Sequence, residues 1–287
     1  MQTINLGARS SVVSGGLAVS RFILGSNPFS GFSHQGSEMD LAMKHYYTTE
    51  CIKHTLRQAE ALGINSLVAR TDHHVMRFLM EHWDEGGQLQ WLAQTCPEVG
   101  DHRACVERAA GCSAKVCHIH GGVMDFLFAQ GRMAEIPPVV EMIHDRGMLA
   151  GIAAHNPAVI RWAEENLDVD YYLCSYYNSA RRDQRAEHVP GMKEWFWAED
   201  RQTMTGLIQG LSRPAIHYKV MAAGRNDPRE AFTWVARSLR PGDAVCVGVF
   251  TRGAPAMLRE DVELLEEALA ATANEGPTAA LAGPTNK

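Results

Sequence analysis

Eight short apolar runs recur along the chain, and a segment of helical character follows each of them. Runs of this length, bounded by polar or turn-forming residues, are typical of buried β-strands. The segments between the runs place apolar residues at helical spacing, as Ile52, Leu56 and Ala59 show. We therefore expect strands at Arg21–Gly25, Ile64–Val68, Gln90–Ala93, Lys115–His120, Met148–Ala154, Tyr171–Ser175, Ala215–Met221 and Ala244–Phe250.

Prolines mark the starts of four of the expected helices, at Pro137, Pro157, Pro228 and Pro255. Proline suits the first helical turn, where its missing N–H has no partner to lose. Strands that alternate with helices at intervals of about 30 residues predict a parallel sheet, and eight such units predict a (β/α)8 TIM barrel. A doubly wound sheet is the alternative, and it is disfavoured because no Gly-x-Gly-x-x-Gly follows the first strand.

The expected barrel is a single domain over residues 1–271, and the composition of residues 272–287 predicts a disordered tail. Two connections are longer than a barrel needs, namely Ser30–Thr48 after the first strand and Ser179–Glu199 after the sixth. Long loops of this kind are often lids over a site, although packing on the barrel rim is the plain alternative.

The composition argues against several classes of protein but does not indicate a reaction. The 287 residues are 46% hydrophobic and 21% charged, with a net charge of −6, which gives no basic footprint for nucleic acid. No apolar run reaches the roughly 20 residues that span a bilayer, and residues 1–20 lack the apolar core of a secretory signal. Seven scattered cysteines without a C-x-x-C pair argue against a disulfide framework, so a cytoplasmic location is expected.

The fourth expected strand carries two histidines one residue apart, His118 and His120, followed by Gly121 and Gly122. Side chains alternate faces along a strand, so the two imidazoles point the same way. A pair of this kind predicts either a functional site or a hydrogen-bonded structural pair. With His155 or Asp72 as further ligands, His118 and His120 could also hold a divalent metal ion.

Nearly every expected strand ends in a polar side chain, and active sites of these barrels lie at the carboxyl ends of the strands. We therefore predict a pocket for a small polar metabolite. His120 is the candidate general acid or base, with Asp72 to orient it or to act as a second base. Lys219, desolvated in an apolar strand, suits a proton donor or a Schiff base, or else an ion pair with Asp72. The candidate substrate-binding residues are Asn27, Arg70, Gln94, His155, Asn156, Tyr177 and Asn178.

The order of these motifs resembles the aldo/keto reductase family, over most of the chain from Leu17 to Leu269. The resemblance implies that family's (β/α)8 barrel, an opening β-hairpin, NADP as the cofactor and hydride transfer as the reaction. Arg252, together with Arg259, lies where the family binds the cofactor phosphate. The matching segments are Leu17–Gly25, Ala59–Asn65, Gly151–Asn156, Tyr176–Asn178 and Arg252–Glu266.

The family's catalytic positions are mostly substituted here. Only the histidine that ends the fourth strand is matched, by His120, whereas the family's aspartate, tyrosine and lysine fall on Val68, His73 and Thr95. Without that tyrosine and lysine, the family's hydride transfer has no evident proton donor. The positions that contact the nicotinamide fall on or near Ala154, His155, Cys174 and Lys219.

The sequence thus leaves three hypotheses. The first is a lyase or isomerase that does acid–base chemistry on a hydroxyl- or carbonyl-bearing, sugar-derived compound. The second is an NADP-dependent oxidoreductase, and the third is a barrel that binds a metabolite without catalysis. No nucleic acid or membrane partner is expected, and a homo-oligomer is left open.

Overall fold

The computed structural model describes residues 1–8, 10–96, 98, 100–187 and 193–275. Within them, eight parallel strands close into a barrel, each hydrogen-bonded to the next and the last to the first. A separate antiparallel hairpin, β1 and β2, precedes the barrel. The strands are β1 Thr3–Leu6, β2 Leu17–Ser20, β3 Phe22–Gly25, β4 Ser66–Arg70, β5 Gln90–Gln94, β6 Val116–Ile119, β7 Leu149–Ala154, β8 Tyr171–Ser175, β9 Ala215–Tyr218 and β10 Ala244–Val247.

Helices follow the strands on the outside of the barrel. The predicted βα order and the (β/α)8 barrel are therefore confirmed. The helices are α1 Ser37–Tyr46, α2 Thr49–Ala61, α3 His73–Asp84, α4 His102–Gly111, α5 Gly121–Ala129, α6 Pro137–Asp145, α7 Pro157–Asn166, α8 Ala198–Ile208, α9 Pro228–Ser238 and α10 Met257–Glu275, with short 3₁₀ helices at Asn27–Ser30 and Met133–Glu135.

Local chemistry explains where several helices begin. The side chains of Asp72, Asp101, Asn156 and Asp227 each accept a hydrogen bond from a backbone N–H in the first turn of the helix that follows. Such capping satisfies donors that a helix start leaves without an intrahelical partner. Three of the four predicted proline starts are observed, at α6, α7 and α9, whereas α10 begins at Met257, two residues after Pro255.

The apolar residues form two layers, one between the barrel and the helices and one inside the barrel. The hairpin β1–β2 contributes Ile4, Leu6 and Val19 to the inner layer, where they close the end of the barrel opposite the carboxyl ends of the strands. The expected domain boundary at residue 271 falls inside α10, which continues to Glu275, and residues 276–287 lie outside the described residues. No helix among the described residues has the length and apolar character to cross a membrane.

A glycine in β7 makes room for the polar groups inside the barrel. Gly151 is paired with Tyr171 on β8 and with His118 on β6, so three neighbouring strands meet there. A Cβ atom at Gly151 would overlap the Tyr171 ring. The missing side chain therefore lets the tyrosine lie across the barrel, with its hydroxyl 3.1 Å from His118 Nδ1.

Candidate active site

A cavity of about 740 Å³ opens at the carboxyl ends of the barrel strands and runs outward past the ends of β9 and β10 to α10. Seven of the predicted site residues line it and five do not. The cavity therefore lies at the end of the barrel where the sequence predicts a site, and some of the predicted residues line it. The lining residues among those predicted are Asn27, Arg70, Gln94, His120, His155, Lys219 and Arg252.

His155 and Asp125 form a hydrogen-bonded pair at the end of β7. The Asp125 carboxylate lies 2.7 Å from His155 Nδ1 and also accepts the backbone N–H groups of His155 and Asn156. Burial raises the pKa of Asp125 to about 7, against the lowering effect of those backbone donors. Burial, and then the charges of Lys219 and Arg182, lower the pKa of His155 well below its usual value.

This pairing fixes the orientation and tautomer of the His155 ring. A carboxylate accepts Nδ1–H, which leaves Nε2 unprotonated, and Nε2 makes no hydrogen bond with a described residue. An imidazole held in this way is equipped to remove a proton from a ligand in the cavity.

His120 lies next to this pair and also lines the cavity. Its backbone N–H donates to Thr95 Oγ1, but its buried Nδ1 atom has no hydrogen-bond partner. Burial lowers the pKa of His120 well below its usual value, and nearby cationic side chains add to the effect. The ring is therefore a neutral imidazole with an N–H to offer to a ligand oxygen.

Lys219 follows β9 rather than lying within it. The predicted strand ran to Met221, but β9 ends at Tyr218, and Lys219 has a left-handed backbone with φ of 58°. Its ammonium lies 3.6 Å from the Glu194 carboxylate and donates to Ser179 Oγ at 3.2 Å. Burial lowers the pKa of Lys219 to about 8, opposed by the Glu194 charge. The predicted ion pair with Asp72 is wrong, because Glu194 is the partner.

The two long connections meet above the cavity. His34, from the loop after β3, has Nδ1 2.9 Å from an oxygen of Glu194, which belongs to the loop after β8. Ser179 Oγ donates to the same carboxylate at 3.0 Å. The loops are therefore joined by a buried carboxylate that also contacts Lys219. The lid role of these loops stays a prediction.

Asp72 has a structural role that the sequence analysis missed. Its carboxylate accepts the N–H of Val75 at the start of α3 and lies 3.0 Å from Arg70 Nε. It does not line the cavity, so the prediction that it orients His120 is wrong. Arg70, which does line it, is held by Asp72 and Glu98 and stacks 4.7 Å from the Phe32 ring centroid.

His118 lies inside the barrel, between Tyr171 and Gln94, and does not line the cavity. Its ring is fully buried, with Nδ1 near the Tyr171 hydroxyl and Nε2 3.4 Å from Gln94 Oε1. Both nitrogens are thus engaged, and burial lowers the pKa of His118 to about 3. Within the described residues, no three His, Cys, Asp or Glu side chains are arranged to hold a metal ion. The predicted metal pair His118–His120 is therefore not supported.

The remaining predicted residues stabilise neighbouring elements rather than lining the cavity. Asn156 caps α7 through the N–H of Ala158. The Tyr177 hydroxyl accepts from Asn226, and the backbone N–H of Asn178 donates to Asp200. Their prediction as substrate-binding residues is not supported by this placement.

Among the residues around the cavity that were not predicted, four have side chains that bear on its chemistry: Tyr218, His34, Arg182 and Asp125. Tyr218 ends β9 and packs edge-on against the His155 ring at 5.7 Å, and His34 and Arg182 come from the two long loops. Asp125 lies behind His155 and is the lone charged residue of the otherwise apolar helix α5. A single carboxylate in an apolar helix could have marked Asp125 as a candidate site residue, whereas no sequence pattern marked His34 or Arg182.

No family model matches the sequence, and no curated protein matches it. Solved structures do, at low identity. One from Pseudomonas aeruginosa, assigned to the aldo-keto reductases, is 19% identical over 93% of this chain and 95% of its own, with a TM-score of 0.58. An aldo-keto reductase from Bacillus halodurans, in its holo form, is 14% identical over 98% of both chains, with a TM-score of 0.57.

A further solved structure shows the same barrel with a different chemistry in its name. A truncated 3-deoxy-D-arabino-heptulosonate 7-phosphate synthase from Thermotoga maritima is 12% identical over 92% of both chains, with a TM-score of 0.53. At these identities the likeness concerns the fold. It confirms the (β/α)8 barrel, which the solved aldo-keto reductase structures share.

Proposed function

We propose that this barrel is a lyase or isomerase that moves protons on a small hydroxyl- or carbonyl-bearing substrate, with a sugar-derived compound as the best fit to the polar lining. The observation that carries the proposal is the His155–Asp125 pair, whose free Nε2 shares a cavity with His120 and Lys219. The catalytic tyrosine and lysine of the aldo/keto reductases fall on His73 and Thr95 in this sequence. We therefore assign proton transfer at this site to the His155–Asp125 pair.

Each of the three groups has a role that follows from its protonation. His155 removes a proton through Nε2, while Asp125 stabilises the imidazolium that forms. Neutral His120 donates an N–H to the carbonyl or alkoxide oxygen as negative charge develops there. Lys219, with a pKa of about 8, returns a proton to the leaving or rearranged group. Bound substrate would lie beneath the two joined loops, where water is restricted.

A screen of sugar acids, keto acids and hydroxy acids, followed by proton NMR without added nucleotide, tests the proposal. We expect conversion of one class by the wild type and a loss of about 10²- to 10⁴-fold with H155Q, as for removal of a general base. H45Q, at an exposed position on α1, is the control for loss of one histidine. Equal turnover by H155Q and the wild type would remove His155 from the mechanism.

A second candidate is a dinucleotide-dependent oxidoreductase, which the structural neighbours favour over the first. Two features of the chain support it. The cavity continues from the barrel mouth along the loops after β9 and β10 to α10, and is longer than a small substrate needs. Tyr218 places an aromatic ring where this extension begins.

The residues present do not fit NADP at the outer end of that extension. Glu260 and Asp261 of α10 line it, and Arg252 is the cation among the lining residues there. Burial, with the Glu260 charge, raises the pKa of Asp261 to about 7. Two carboxyl groups disfavour a ribose phosphate and suit ribose hydroxyls, so the second candidate implies NAD rather than NADP.

Fluorescence titration with NADH and NADPH separates the two candidates. The lyase or isomerase candidate predicts no saturable binding of either nucleotide at concentrations up to about 1 mM. A dissociation constant of that size corresponds to a binding free energy of about −4 kcal/mol. Saturable NADH binding, together with nucleotide-dependent turnover in the same screen, would replace the first candidate with the second.

A further inference from the structure

Arg182, from the loop after β8, is a buried cation that lines the cavity and has no carboxylate partner among the described residues. It is 7% exposed. One terminal nitrogen donates to the carbonyls of Ala186 and Glu187 at 3.4 and 3.2 Å, and its buried Nε atom has no hydrogen-bond partner. The charge of Arg182 acts on Asp125, but that carboxylate is hydrogen-bonded to His155 and forms no salt bridge with Arg182. A buried guanidinium that lacks a paired carboxylate is costly unless an anionic ligand supplies one.

The start of α5 presents further unused donors beside it. His120 occupies the N-cap position and makes no side-chain cap. The first N–H groups that bond back to His120 are those of Val123 and Met124, so those of Gly121 and Gly122 have no acceptor among the described residues. Both glycines are buried, and Gly121 lines the cavity. A helix start of this kind attracts anions through its free N–H groups and its dipole.

Close packing keeps these donors together. A Cβ atom at Gly122 would overlap the Ala186 carbonyl, the same oxygen that Arg182 contacts, and would lie 2.9 Å from His120 Cε1. A Cβ atom at Gly121 would lie 3.1 Å from His155 Cε1. The loop that carries Arg182 therefore lies directly on the helix start, with the two cavity histidines alongside.

We propose that this cluster, the guanidinium of Arg182, the N–H groups at the start of α5 and His120 Nδ1, binds an oxyanion of the substrate, a carboxylate or a phosphate. The inference deepens the proposed function, because it makes the substrate an acid whose reacting carbon lies near His155. Of the acidic side chains facing the cluster, Asp125 is already committed to His155 and to two backbone donors. The anion thus completes the hydrogen bonding that the protein leaves open.

The test is titration of the full-length chain, labelled with ¹⁵N-glycine, with inorganic phosphate and separately with glycolate at constant ionic strength set by chloride. We expect saturable shifts of the Gly121 and Gly122 amide signals, and the probe that binds more tightly identifies the class of oxyanion. R182Q should weaken binding at least tenfold, whereas R181Q, at the exposed neighbouring position, should leave it within twofold of the wild type.

Two features of the test keep this inference separate from the proposed function. The anion titration requires no turnover, so a failure of catalysis in the substrate screen leaves the binding result standing. If R182Q does not fold, R182K serves instead, with weaker binding expected because lysine lacks the planar set of donors. Absence of saturable glycine shifts with both probes, or unchanged binding in the Arg182 variant, would overturn the inference.

Discussion

Replacing His118 with glutamine should reduce the loss of folding stability that the protein undergoes as the pH falls. The imidazole is buried inside the barrel, where neutral Nε2–H can donate to Gln94 Oε1 while Nδ1 accepts from the Tyr171 hydroxyl. Burial alone lowers the pKa of His118 to about 3. The folded protein therefore keeps this ring neutral at a pH where the unfolded chain protonates it.

The sign and size of the effect follow from linkage. A histidine whose folded pKa is depressed contributes stability above its unfolded pKa, near 6.5, and loses that contribution as the pH falls toward the folded value. Between pH 7 and pH 5 the loss from this one group is about 2 kcal/mol, because the unfolded state takes up a proton that the folded state does not. Above pH 7 the contribution no longer changes with pH.

Urea unfolding of the wild type and H118Q at pH 7 and pH 5 measures this difference. The free energy of unfolding of H118Q should fall about 2 kcal/mol less between the two pH values than that of the wild type. H45Q, which removes an exposed histidine, is the control. An identical pH dependence in H118Q and the wild type would refute the assignment of His118 as a buried neutral group.

Three other changes test separate parts of the structure. D125N should lower turnover of the substrate found in the screen by at least about 10²-fold while leaving anion binding in place. The amide has no charge to stabilise the imidazolium, and its NH₂ group can donate to His155 Nδ1 and so favour the wrong tautomer. Unchanged turnover would contradict the pair's role. G151A should lower the free energy of unfolding by about 1–3 kcal/mol, because the added methyl group crowds the Tyr171 ring. G206A on α8 is the control, since nothing lies near a methyl group added there. Equal thermal stability of the two variants would contradict the close contact between Gly151 and Tyr171. E194Q should lower the free energy of unfolding by about 1–3 kcal/mol and speed proteolysis of the two long loops, because it removes the charge that His34 and Lys219 contact. E199Q, at an exposed position, is the control. Equal cleavage rates for E194Q and the wild type would mean that the Glu194 carboxylate does not join the loops.

The fold could be predicted from the sequence because its signals are local and repeated. Eight apolar runs recur, proline or capping residues mark the starts of several of the helices between them, and an error of up to three residues at a strand end leaves the barrel intact. The predicted strands overlap every observed barrel strand, and the predicted sixth strand has the observed bounds, Tyr171–Ser175.

The site could be predicted only in part. Where a strand ends, a shift of one residue along the chain decides whether a side chain points into the cavity or away from it. At the end of β4, Arg70 lines the cavity while Asp72, two residues on, caps α3. At β9 the ring of Tyr218 was missed because the strand was extended through Lys219. Arg182 comes from a loop whose path depends on packing against α5, and no periodic pattern reports that contact.

If His155 and Asp125 move protons on a small acid at the barrel mouth, solvent deuterium should enter that acid at the reacting carbon. The wild type is incubated in D₂O with the acid selected by the screen, without nucleotide, and the carbon-bound protons are followed by NMR. We expect exchange at one carbon, lost in H155Q and D125N and retained in R181Q. Exchange that persists in H155Q, or reaction that proceeds only when NADH or NAD is added, would contradict it.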